Sequence, residues 1–163
     1  MRTAHWGRLA IVLAAILLSP GLRPVCAAER PSFSVDAPGD ATYAQHIVAL
    51  WEKTKPTLRE DLAANLPDAE YLRLGKTMRA AWVNLQVHGS LHHADKRGSG
   101  VADTRDDTLA DLVGKIIELV DDVYGWPPDT PREREDKRQA MRKSRLEYKI
   151  KRFDAVLRSA NVN

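Results

Sequence analysis

The 163-residue sequence holds one cysteine, Cys26. It falls inside a segment that reads as a leader, so the rest of the chain is expected to have no thiol chemistry and no disulfide. A long hydrophobic run is missing too. The apolar stretch at 9–18, LAIVLAAILL, is ten residues, against the roughly 20 that a spanning helix needs. No segment alternates apolar and polar residues between turn dipeptides, and no internal repeat stands out. A nucleophile elbow, a phosphate-cradling glycine loop and a paired-cysteine motif are all absent, so nothing in the spacing supports an enzyme. Nor is there an excess of one charge. The chain has 25 bases and 22 acids, but Arg2, Arg8 and Arg23 sit in the leader with no acid, leaving 22 of each. That balance removes the compositional support for nucleic-acid binding.

What is present begins with the leader. Arg2 and Arg8 precede the apolar run, Ser19-Pro20-Gly21 ends it, and Cys26-Ala27-Ala28 supplies small residues. This is the pattern of a signal peptide cleaved after Ala27 or Ala28, and it implies a periplasmic or secreted product. Cys26 also raises lipidation, but Arg23 and Pro24 precede it in place of small apolar residues, so simple cleavage ranks higher. The expected organisation is a signal peptide at 1–28, an extended lead-in at 29–40 and one helical domain at 41–160. The 135 residues after the leader suit a single domain, which buries roughly two thirds of its unfolded surface.

The stretch 68–95 organises that domain. Tyr71, Leu74, Met78, Ala81, Trp82 and Leu85 recur at helical spacing and predict a core-facing helix. It is expected to end at Gly89-Ser90 or to run to about Ala94. Upstream, Asp40 is positioned to cap a helix over 41–53, with Tyr43, Ile47, Leu50 and Trp51 on one face. Pro56 predicts a break or a kink, and Thr57 with Glu60 matches a capping box for a continuation through Leu58, Leu62 and Leu66. Downstream, 95–103 reads as a loop. A helix over 104–124 carries Leu109, Leu112, Val113, Ile116, Val120 and Val123, and Gly125 stops it. Thr130-Pro131-Arg132-Glu133 opens a last helix expected to continue to about Ala160. The fold class is therefore all-α: a four-helix bundle whose first helix is kinked by proline, after a cleaved signal peptide.

Three features bear on function. His88 and His92 stand four apart, with His93 and Asp95 beside them and His46 on the first helix. This set would suit zinc, copper or nickel, although solvated histidines at a helix end are the commoner outcome of such spacing. No cofactor is expected as the leading reading; zinc, copper or haem belongs to the alternative. On the last helix, Arg138, Arg142, Arg145, Lys149 and Arg152 fall at offsets that form one basic stripe, beside the apolar stripe of Leu146, Ile150, Phe153 and Leu157. Such a stripe is either a solvated flank or a docking surface for an acidic protein or an anionic envelope surface. The third feature is acidic. Glu118, Asp121 and Asp122 lie near the C-terminus of their helix, where its dipole disfavours them, and Arg132 and Arg134 across the connector are expected to offset this.

Three short segments carry a resemblance: Lys76-Thr77-Met78-Arg79-Ala80-Ala81, Leu112-Val113-Gly114-Lys115-Ile116, and Arg145 with Tyr148. With the leader and the helix order, the chain resembles the soluble periplasmic b-type cytochromes. The resemblance implies a four-helix bundle holding haem between its first and last helices. That family ligates iron with a methionine on the first helix and a histidine on the last. Here the nearest residue on the first helix is His46, and Lys149 follows Tyr148, so neither ligand carries over. The leading expectation is an exported, non-enzymatic helical binding protein. The alternatives are a metal- or haem-binding bundle and, last, a small secreted enzyme.

Overall fold

Apolar side chains recur at helical spacing along every long segment, and burial of those stripes builds the bundle. The computed structural model describes residues 42–98, 104–126 and 129–160, without the side chains of 91–98 and 104–106. Asp40, the lead-in and the leader lie outside the described residues. Four helices form the bundle: α1 is Tyr43–Ala64, α2 is Asp68–Gly98, α3 is Thr104–Tyr124, and the last is broken into α4, Pro131–Ala140, and α5, Leu146–Ser159. Among the described residues there is no strand, and no helix is long and apolar enough to cross a membrane.

The start of α1 is set by Thr42, not by Asp40. The Gln45 amide donates to Thr42 Oγ1 at 3.3 Å, and the Thr42 amide donates to Gln45 Oε1 at 2.8 Å. Two otherwise orphaned amides are satisfied reciprocally. The helix then runs unbroken through Pro56, so Thr57 and Glu60 do not open a second helix. Proline at 56 withholds the N–H that Glu52 would have received and crowds the turn before it. Next to it the Thr57 hydroxyl donates to the Lys53 carbonyl at 3.0 Å, which leaves the Glu52 carbonyl without the proline's bond. Leu50, Trp51, Leu58 and Leu62 are buried on both sides of the proline. A break would throw half of that stripe off the core.

In α2, Tyr71, Met78, Ala81, Trp82 and Leu85 are buried as their spacing predicts, while Leu74 is half-buried against the same core. The helix does not stop at Gly89-Ser90 or at Ala94; it extends to Gly98. Gly89 is a contact rather than a terminator. It is buried, and a Cβ there would overlap the ring of Tyr43. Ser90 stays helical and donates its hydroxyl to the Gln86 carbonyl at 3.0 Å. The end of α3 agrees with expectation: Gly125 takes φ of +81° and its N–H closes on the Asp121 carbonyl at 2.8 Å, a left-handed termination that glycine adopts without strain.

The start of α4 also matches, with Thr130 and Glu133 bonded in both directions at 3.3 and 2.7 Å. Its continuation does not. Met141–Arg145 form a π-turn, and Ser144 leaves helical geometry altogether. The expected single last helix is therefore two helices joined at a kink.

The core centres on three rings from three helices. Trp51 of α1 meets Trp82 of α2 at 6.4 Å and Phe153 of α5 at 5.6 Å, both edge-to-face. Such pairs add about 1 kcal/mol each beyond area burial. Both indole N–H groups are satisfied: Trp51 donates to Asp154 at 2.7 Å, and Trp82 to Thr54 Oγ1 at 3.1 Å. The α2–α3 seam is tighter still. A Cβ on Gly75 would overlap the Tyr124 side chain, whereas one on Gly114 would find its nearest neighbour at 3.8 Å. Gly75→Ala is therefore expected to lower stability by about 2 kcal/mol through overpacking. Gly114→Ala should raise it by up to about 1 kcal/mol through helix propensity. Urea unfolding of both variants checks the contrast, and a neutral Gly75→Ala would show that the seam is loose.

Candidate functional site

The sequence of α4, PREREDKRQA, contains no large apolar residue. Its buried residues are Arg134 and Arg138, so this helix docks on the bundle through arginine. Both reach Asp68, the first residue of α2. Arg134 Nε donates to Asp68 at 3.0 Å and its Nη2 contacts the same carboxylate; Arg138 Nη2 donates to that carboxylate at 2.9 Å. Arg134 also contacts the Asp129 carbonyl, and its aliphatic stem lies where a Cβ on Gly125 would stand. Arg138 is 2% exposed and stacks its guanidinium 4.6 Å from the Tyr71 ring centroid. Its Nε donates to Glu135 at 3.0 Å, while Nη1 is buried without a hydrogen-bond partner among the described residues.

Arg142, on the π-turn, extends the same network toward α1. It donates to Glu135 at 2.8 Å, Asn65 at 2.9 Å, the Leu62 carbonyl at 3.2 Å and Tyr71 Oη at 3.2 Å. Beneath these groups Tyr124 donates to the buried Asp61 carboxylate at 2.6 Å, and Tyr71 donates to the Asp61 carbonyl at 2.9 Å. Hydrogen bonds from Arg134, aided by Arg138, hold the Asp68 carboxyl below the usual carboxylate range. Burial pushes Glu135 up, but bonds from Arg138 and Arg142 outweigh it and leave its carboxyl lowered.

The predicted basic stripe is thus divided. Arg138 and Arg142 turn into the network; Arg145, Lys149 and Arg152 do not. An α-helix would keep all five on one face, but the π-turn between Arg138 and Lys149 rotates α5 relative to α4. The second group lines a groove of about 380 Å3 between α3 and α5, with Lys115, Glu118, Tyr148 and Phe153. Lys149 pairs with Asp122 at 3.1 Å, and Lys115 pairs with Asp111. Arg145 and Arg152 are exposed and make no ion pair among the described residues. Phe153 forms the floor at 4% exposure, and Tyr148 stands at the rim at 66%.

The acids at the end of α3 are offset, but not by the expected residues. Asp121 pairs with Arg79 at 2.9 Å, and Arg79 also stacks 3.9 Å from the centroid of the exposed Trp126 ring. Burial nevertheless raises the Asp121 carboxyl, with Arg79 pulling the other way. Arg134 serves Asp68 instead, and Arg132 is exposed. A second groove, about 580 Å3, opens beside the π-turn over Leu62, Met141 and Leu146, and the forked pair of Arg59 and Glu147 at 2.7 and 2.9 Å crosses it.

The histidines are not gathered by what is described. His46 is half-buried on α1, with Nδ1 lacking a hydrogen-bond partner among the described residues, and His88 is exposed on α2. The side chains of His92, His93 and Asp95 lie outside the described residues. Among the described residues no three His, Cys, Asp or Glu side chains converge as a metal-ligand set. Compared with models of protein families, with curated proteins and with solved structures, the chain finds no match.

Two outcomes test the network. Asp68→Asn leaves the buried Arg134 with no carboxylate and Arg138 with Glu135 alone, and is expected to cost about 3 kcal/mol, whereas Arg138→Met, which removes one buried charge and leaves Asp68 with Arg134, should cost under about 1 kcal/mol. Urea unfolding distinguishes them, and equal losses would contradict this division. The lowered carboxyls also set a pH response. A depressed folded-state pKa gives stability that is present above the ordinary carboxylate range and lost as pH falls through it. Asp121, raised by burial, works in the opposite direction. Asp68, Glu133, Glu135 and Glu147 are all lowered, against Asp121 alone raised among the described residues. A net loss is therefore expected on acidification from about pH 5 to 3, measured as a falling urea midpoint. Asp68→Asn should flatten that fall; an unchanged slope would remove Asp68 as its source.

Proposed function

We propose that this chain is an exported, non-enzymatic helical bundle that binds an anionic partner in the groove between α3 and α5. One observation carries the reading. Arg145 and Arg152 are exposed and unpaired among the described residues, on a groove that also holds Lys115 and Lys149. The arginines of the network contrast with them, since Arg134, Arg138 and Arg142 all have carboxylate partners within the bundle. Cations left unpaired beside aromatic surface attract carboxylates or phosphates, and arginine binds either with two parallel bonds. Export is supported by the leader pattern at 1–28. A binding role is favoured over a chemical one because the groove lining offers no Ser, Cys or His beside a base.

Fluorescent poly-L-glutamate tests the reading. Binding is expected at low salt and should weaken as salt screens the groove. Arg145→Gln together with Arg152→Gln should reduce affinity by about tenfold or more, each lost charge-assisted bond being worth roughly 1.5 kcal/mol or more, with the unfolding midpoint unchanged. If the double variant binds as the parent does, the groove is not the binding surface.

A further inference from the structure

We infer that the occupant of the α3–α5 groove is an acidic amphipathic helix of a partner protein, laid along α5. The inference rests on the reading that this groove binds an anionic partner, and it adds the shape and spacing of that partner. Arg145, Lys149 and Arg152 stand at successive steps of four and three residues. On a helix that row is about 10 Å long. Carboxylates at positions i, i+4 and i+7 of a second helix make a row of the same length, so three acids meet three cations without either chain leaving helical geometry.

The form of the groove favours a rod. It lies between two helices, with Phe153 buried at the floor and Tyr148 exposed at the rim. A third helix seats its side chains between the ridges of the two already there. A flat anionic surface touches the rim and leaves the floor unused. Charge within the groove sets the orientation of the visitor. Glu118 is exposed on the α3 side, and it repels carboxylates. Lys115 and Lys149 are partly neutralised by Asp111 and Asp122. The two ends of the acidic row therefore face the unpaired Arg145 and Arg152, its middle acid shares Lys149 with Asp122, and an apolar residue of the visiting helix covers Tyr148, in the manner of the aromatic anchors of protein interfaces.

The test uses the full chain and three probes. Two synthetic peptides of about 18 residues, long enough to be helical, share one composition. In the first, glutamates occupy i, i+4 and i+7 beside a leucine stripe; in the second, the same residues are shuffled so that the acids scatter around the helix. The third probe is phosphatidylcholine vesicles containing phosphatidylglycerol. Fluorescence anisotropy and vesicle co-sedimentation are read for the parent, for Arg145→Gln with Arg152→Gln, and for Glu118→Gln, each first checked for unchanged helicity. The ordered peptide should bind at least about tenfold more tightly than the shuffled one. The double variant should lose that preference, and Glu118→Gln should strengthen binding of the ordered peptide. Equal binding of both peptides overturns the helical occupant while leaving an anionic partner in place. Binding to vesicles but to neither peptide overturns it in favour of a lipid surface. Binding of no probe overturns this inference and the function it rests on together.

Discussion

The Asp68 carboxylate fixes α4 on the bundle. It begins α2, immediately after the turn from α1, and it receives guanidinium groups from two successive turns of α4. No large apolar side chain of α4 competes with it for that task. Without the carboxylate, α4 would keep its capping box, the Arg138 stack on Tyr71, the contacts of Arg134 and Lys137 with Asp129, and Met141 just past its end. This contact holds α4 against the start of α2, while α5 is held by its own buried residues and by the Trp51–Asp154 bond.

Burying charge is costly unless each group is paired, and this network comes close to closure. Asp68 receives Arg134 and Arg138, Glu135 receives Arg138 and Arg142, and Tyr71 and Tyr124 link the network to Asp61 of α1. Within the network, Arg138 Nη1 is the buried nitrogen left without a partner among the described residues. Specificity comes from this arrangement more than stability does. An apolar α4 could slide or roll on the bundle, whereas forked arginines accept one position. The same demand separates the two halves of the basic face. Inward arginines are consumed by the fold, and the outward ones are left to meet something else.

Much of the bundle is legible in the sequence because its signals are local and periodic. Tyr71 through Leu85 buries as its spacing requires, and the capping box at Thr130 and the stop at Gly125 do what those residues do elsewhere. The misreadings arise where tertiary contact overrides a local rule. At Pro56 the sequence leaves a break and a kink both open, and α1 continues through it because the apolar residues on both sides need one continuous face; Thr57 and Glu60 therefore open no second helix. Gly89 does not end α2, because the Tyr43 ring needs the space a side chain would fill. The division of the basic stripe had a visible cue. Inward positions of the last helix are Arg134, Arg138, Met141, Leu146, Ile150, Phe153 and Leu157, at steps of four, three, five, four, three and four. A step of five carries an α-helix about 140° off its face, and only a wider turn restores it. Arg79 and Lys115 gave no comparable signal, since their roles depend on which helix lies beside them.

That step of five also says something about the chain's tolerance for change in length. The π-turn is a place where the helix holds one residue more than its two faces require. Shortening it by one residue would let ordinary helical winding carry the buried face of α4 straight into that of α5, with every inward position still inward. Elsewhere in α2, α3 or α5 the same deletion would turn half a helix away from the core. The molecule therefore carries, between Ala140 and Leu146, a segment in which the length of the chain and the register of its interior are decoupled.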